Sequence, residues 1–146
     1  MSDIKRSAVV NYLPAEMYDL VNAIEDYPKF LPWCVASQVL SRNEDEVQAS
    51  LTVSGMGLQK EFTTHNRLQK NKMIEIRLVN GPFKHLEGLW QFDLIDEKRC
   101  RVALDLEFEF AGKLLDFAFG PIFHQMGSSL VDAFHRRARE VYGERE

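Results

Sequence analysis

Between Val102 and Phe110, apolar residues fill every second position: Val102, Leu104, Leu106, Phe108 and Phe110, with Asp105, Glu107 and Glu109 interleaved. Beyond Gly112 the period changes. Phe123, Met126, Leu130, Val131, Phe134, Ala138 and Val141 recur at intervals of mainly three and four, while Asp132, Arg136, Arg139 and Glu140 fall on the opposite side. A period of two is a strand with one apolar face, and a period near 3.6 is a helix with one apolar stripe. Neither surface is stable in water alone, so the helix has to lie across the sheet. A twisted sheet then curls around it and leaves a tapered space between them, filled by side chains or open to a ligand.

The alternation runs through most of the chain. It is read at Val35, Ser37 and Val39; at Val47, Ala49, Leu51 and Val53; and at Phe62, Thr64 and Leu68. It continues at Ile74, Ile76 and Leu78, and at Leu86, Gly88, Trp90, Phe92 and Leu94. Turn-forming clusters separate the runs: Asn43-Glu44-Asp45, Gly55-Met56-Gly57, Lys70-Asn71-Lys72, Asn80-Gly81-Pro82 and Asp96-Glu97-Lys98. Short turns between alternating strands predict an antiparallel meander, wet on one face and covered on the other. A further strand, Ile4 to Val10, precedes a helix opening at Pro14, whose stripe is Met17, Leu20, Val21 and Ile24. The order is one strand, a short helical region, six strands and one long C-terminal helix, expected to kink or break near Pro121.

The segment from Ile24 to Cys34 fits neither period. It carries Tyr27, Phe30, Leu31 and Trp33 among two prolines and three charges. Each proline disfavours helix at the residue before it, which predicts extended Tyr27 and Leu31 with at most one helical turn between the prolines. An apolar joint of this kind covers something.

The 146 residues make one domain, 1–146, which buries about two-thirds of its unfolded surface and needs no staple. Cys34 and Cys100 are expected as reduced thiols; no His or Cys stands at metal-ligand spacing, and no metal is expected. A net charge of −4 opposes a general polyanion-binding surface, and no DNA is expected as a partner. The first residues lack an apolar h-region and no run reaches membrane-spanning length. The expectation is a cytoplasmic protein that can rest peripherally against the inner membrane or against a large assembly.

The helix-over-sheet order resembles the helix-grip arrangement of the START-like, birch-pollen-allergen-like superfamily, an α+β class with about seven curved strands. Asp26-Tyr27-Pro28-Lys29-Phe30-Leu31-Pro32-Trp33-Cys34 is similar to the signature of one branch of it. The ending Leu130-Val131-Asp132-Ala133-Phe134, with Arg137, Ala138, Val141, Tyr142 and Gly143, is similar to that branch's ending. The branch holds coenzyme-Q-binding START-domain proteins and ribosome-association toxins, within the wider polyketide cyclase/dehydrase superfamily. The chain departs from it at Ala23, where an acid is common. The resemblance implies a non-catalytic protein enclosing a hydrophobic ligand, ubiquinone or a similar lipid, linked to respiration. It implies as an alternative a toxin that binds the large ribosomal subunit and blocks subunit joining, and as a third a cyclase-like enzyme.

Candidate ligand-binding residues are Phe30 and Trp33 on the joint, Phe62, Trp90 and Phe92 on the sheet, and Phe117, Phe119, Phe123 and Met126 on the helix. Burying a prenyl tail is worth about 0.8 kcal/mol per CH2, and aromatic rings stack a quinone head. Basic clusters at Arg67, Lys70, Lys72 and Arg77, at Lys84 and His85, and at Arg136, Arg137 and Arg139 would make contact with phosphate salt-sensitive. Glu75, His85, Glu87 and His124 are the ionisable groups nearest the apolar faces, but they form no nucleophile-base-orienter set in the sequence.

Overall fold

The computed structural model describes residues 2–146. β1 (Ser2–Val10) leads into α1 (Pro14–Asn22) and a short 3-10 helix (Ile24–Lys29). Six strands follow: β2 (Cys34–Arg42), β3 (Glu46–Gly55), β4 (Leu58–Gln69), β5 (Met73–Asn80), β6 (Phe83–Leu94) and β7 (Cys100–Phe110). Two helices, α2 (Lys113–Ser128) and α3 (Leu130–Tyr142), close the chain. The strands form one antiparallel sheet in the order β1-β7-β6-β5-β4-β3-β2, curved around the C-terminal helices in a helix grip.

The turn chemistry accounts for the meander. The Asn43 side-chain oxygen accepts the backbone N–H groups of Asp45 and Glu46, both at 2.9 Å. Asp96 does the same for Lys98 and Arg99 in the last hairpin. Asn71 takes a left-handed φ of 62°, which asparagine tolerates. All five alternating apolar residues of β7 are buried. The alternation overreaches at two rims. A register shift between Cys34 and Ala36 reverses the inward sense at the start of β2 alone, so Cys34 is buried and Val35 exposed, while Ser37 and Val39 keep the expected inward side. Leu94, the last residue of β6, is exposed as well.

The helical region breaks elsewhere than expected. α2 runs unbroken through Pro121, and the interruption falls at Ser129. Pro121 and Phe117 both lie on the exposed side, so water can take up the carbonyl that the proline leaves unpaired. At Ser129 the backbone N–H is shared between the carbonyls of Gln125 and Met126, and the hydroxyl bonds back to Met126 O at 2.7 Å. Such back-bonding competes with the helical ladder and bends it.

The joint also differs. Tyr27 is not extended; it lies inside the 3-10 helix, which includes Pro28. Its carbonyl accepts the N–H groups of both Phe30 and Leu31, and its hydroxyl donates to the Val21 carbonyl. These bonds, with edge-on contact between the Tyr27 and Phe134 rings at 5.5 Å, outweigh the pre-proline preference. At Gly127, α2 comes so close to the sheet that an added Cβ would lie 2.6 Å from Ile4 Cδ1. That contact sets the helix-to-sheet spacing on which the interior space depends.

Candidate functional site: the cavity between joint, sheet and helices

An internal cavity of about 90 Å3 lies where the joint, the curved sheet and the α2–α3 bend meet. Tyr27, Leu31 and Trp33 close it from the joint, and Phe123, Met126, Gly127, Leu130 and Phe134 from the helices. The sheet supplies Leu51, Val53, Phe62, Ile76, Trp90 and Leu106 from its concave face. The Ser129 bend places Met126 and Leu130 together at the wall, because it redirects the helix across the sheet.

Five of the nine expected residues line this space: Trp33, Phe62, Trp90, Phe123 and Met126. The other four do not. Phe30 packs edge-on against Phe134 at 5.2 Å and lies under the Arg137 guanidinium. Phe92 is buried between Tyr18 and Trp90. Phe119 is fully buried against Phe110 and belongs to the core. Phe117 is 83% exposed and turns away from the cavity. It shares the outer face of α2 with Leu114, so the all-round apolar run from Leu114 to Phe123 divides between a buried and an exposed face. Phe134 and Leu130 were legible as stripe residues but not as cavity walls, because only the bend and the joint bring them to the space.

The polar groups around the cavity are few and satisfied or neutral. Burial drives the Tyr27 phenol far above its ordinary range, so it remains a hydrogen-bond donor at every physiological pH. Burial pushes the Cys34 thiol up to about 11, which keeps it protonated and unreactive. Burial likewise raises Cys100 to about 11, with the Glu16 and Asp93 carboxylates adding to it. His124 is half-buried beside the Phe108 ring. Glu75 and Glu87 lie on the outer face of the sheet, both paired with Arg77. The arrangement can hold an apolar group by dispersion and by removing it from water.

The basic clusters are dispersed. Arg77 sits between Glu75 and Glu87, Lys84 faces Glu109 at 3.5 Å, and Arg137 faces Glu140 at 3.8 Å. Arg67, Lys70 and Lys72 near the β4–β5 turn, and Arg136 and Arg139 on α3, have no ion pair among the described residues. No helix among the described residues is long and apolar enough to cross a membrane.

Residues 10–135 match the family described as polyketide cyclase/dehydrase and lipid transport. The chain belongs to this family. Within it, the chain is 47% identical over 140 residues to the ribosome association toxin RatA of Pseudomonas aeruginosa, covering 96% of this chain and 97% of that one. It is 43% identical over 145 residues to RatA of Escherichia coli, covering 99% and 92%. A more distant family relative is the mitochondrial coenzyme Q-binding protein COQ10 homolog B of Xenopus laevis, 26% identical over 99% of this chain and 61% of that one. Among solved structures, an 18 kDa protein of Caulobacter crescentus is 29% identical, with a TM-score of 0.76 over 99% of this chain and all of that one. The Zhui aromatase/cyclase of Streptomyces superposes with a TM-score of 0.81 over 96% and 95% at 17% identity, which speaks for the shared fold alone.

Proposed function

We propose that this chain is a non-catalytic ribosome-binding protein that docks on the large subunit and opposes subunit joining. The observation that carries this reading is the 43–47% identity to RatA proteins along essentially the whole chain, joint included. The cavity supports it indirectly. Small-molecule sites usually enclose roughly 300–1,000 Å3, and the space here is about 90 Å3. A quinone ring with its tail does not fit without outward movement of the joint or of the α2–α3 bend. Docking on ribosomal RNA would use the unpaired arginines and lysines of α3 and the β4–β5 turn and would weaken as salt rises. A subunit-joining assay tests the reading: added protein should lower the yield of joined ribosomes in proportion to its concentration. An unchanged yield at excess protein would remove it.

A second reading is favoured by one observation. The cavity wall is almost wholly aromatic and aliphatic, with both tryptophans on it, as suits an apolar ligand. In this reading the protein carries a hydrophobic molecule, ubiquinone or a similar lipid, in an expanded form of the same cavity. Mass spectrometry of organic extracts of the purified protein tests it. A quinone or lipid recovered near one per chain supports it, and repeated absence, with no uptake of added quinone, counts against it.

A further inference from the structure

The outer face of the sheet brings together three side chains that the sequence keeps apart. β6 presents His85 and Glu87 two residues apart on one face, and the β6–β7 register sets Glu87 directly opposite Glu107. One ligand atom from each of His85, Glu87 and Glu107 lies within 4.8 Å of the other two. Carboxylates directly opposite each other on adjacent strands repel. Asp3 stands opposite Glu107 on β1, and Asp105 lies on the same side of β7, which adds to the negative field.

The protein's own cations relieve this only in part. Arg77 bonds chiefly to Glu75 at 3.0 Å and reaches Glu87 only at 3.5 Å. Lys84 turns to Glu109. Glu107 faces His85, with Nε2 at 3.5 Å from Oε2. That Nε2 atom is buried and has no hydrogen-bond partner among the described residues. The His85 side chain is 29% exposed, and its Nε2 atom approaches only the Glu107 carboxylate, at a distance too long for a good hydrogen bond. The carboxylates border a cleft of about 270 Å3 over β5, β6 and β7, so one side of the group stays open to solvent.

We infer that His85, Glu87 and Glu107 form a binding site for a divalent transition-metal cation of the zinc class. One imidazole nitrogen and two carboxylate oxygens are the donor set such ions take, at about 2.0–2.2 Å, with water completing the shell. Side-chain rotation alone has to draw the three atoms together, since the strands already fix their backbones. A bound cation would take the lone pair of Nε2 and neutralise the opposed glutamates, stapling β6 to β7 from outside. The site is on the opposite face of the sheet from the cavity and is independent of the function proposed above.

Titration of untagged, metal-free protein with zinc chloride by calorimetry, with cobalt(II) absorption as a second readout, tests this site. One equivalent should bind, and His85→Ala or Glu107→Gln should each weaken it by at least about tenfold. His65→Ala, which removes the other outer-face histidine–glutamate pair at 3.4 Å, should leave binding unchanged. Circular dichroism of the variants checks folding, which these outer-face changes should preserve. No saturable binding up to millimolar zinc, or binding indifferent to His85→Ala, would overturn the inference.

Discussion

The Arg137 guanidinium lies over the ring of Phe30, 5.1 Å from its centroid, and so ties α3 to the joint between the first helix and the sheet. Phe30 in turn packs edge-on against Phe134, from the turn of α3 that lines the cavity. The joint is thus held from outside by a cation and from inside by aromatic rings. Arg137→Ala should cost up to about 1 kcal/mol, and Arg137→Lys should recover only part of that, since an ammonium keeps the charge but not the planar stack. Urea denaturation of the three proteins checks both values.

Two phenylalanines on α2, two positions apart, should behave oppositely. Phe119 is fully buried, and Phe119→Ala should destabilise the protein by about 3–5 kcal/mol. Phe117 is exposed, and Phe117→Ala should shift stability by no more than about 0.5 kcal/mol. Paired thermal melts decide the matter; a large loss for Phe117→Ala would mean that this face is covered.

Two glycines in the same helix should separate in the same way. At Gly127 an added Cβ would collide with Ile4, so Gly127→Ala should cost about 1–3 kcal/mol through overpacking. At Gly120 the nearest atom to an added Cβ is Asp116 Oδ1 at 3.5 Å, an ordinary contact. Gly120→Ala should therefore stabilise by about 0.5–1 kcal/mol through the lower backbone entropy of the unfolded chain. Chemical denaturation gives both signs in one experiment.

Glu16 couples α1 to the C-terminal end of the chain. Its carboxylate accepts two bonds from Arg145, at 2.6 and 2.8 Å, and one from the Leu13 N–H. The Arg145 bond is the main reason its carboxyl titrates below the ordinary glutamate value. A carboxyl depressed on folding adds stability above its unfolded pKa, about 4.3, and that contribution is lost as pH falls through the folded value. Glu16→Gln should therefore flatten part of the stability decline below about pH 5. Melting curves from pH 3 to 7 for the two proteins test this, and parallel curves would exclude a role for Glu16.

The strands were legible because their period is strict and their turns carry Asn, Asp and Gly. The helix was legible as a stripe, but not its break. Proline is the strong local signal in that region, yet the fold tolerates Pro121 on a wet face and bends at Ser129, whose side-chain bond to Met126 O has no sequence period. The same limit applied to the site. Aromatic content pointed to an apolar interior, and Trp33, Trp90 and Phe123 do border the cavity. It could not separate Phe117 from Phe119, because both belong to an unbroken apolar run whose facing depends on the docking of α2. The outer cluster of His85, Glu87 and Glu107 was invisible to spacing, since strand register alone brings β7 to β6.

On the function proposed above, ribosome binding runs through the charged surface of α3 and the β4–β5 turn and does not need the cavity. Co-sedimentation with purified large subunits at low and high salt, run with Leu130→Phe to fill part of the cavity and Arg136→Ala/Arg139→Ala to strip α3 of charge, tests it most directly. The wild type and Leu130→Phe should both pellet with the subunits at low salt and be released at high salt, while the double arginine variant should pellet less. A wild type that stays in the supernatant at low salt, or a loss of binding on cavity filling alone in a folded Leu130→Phe protein, would contradict it.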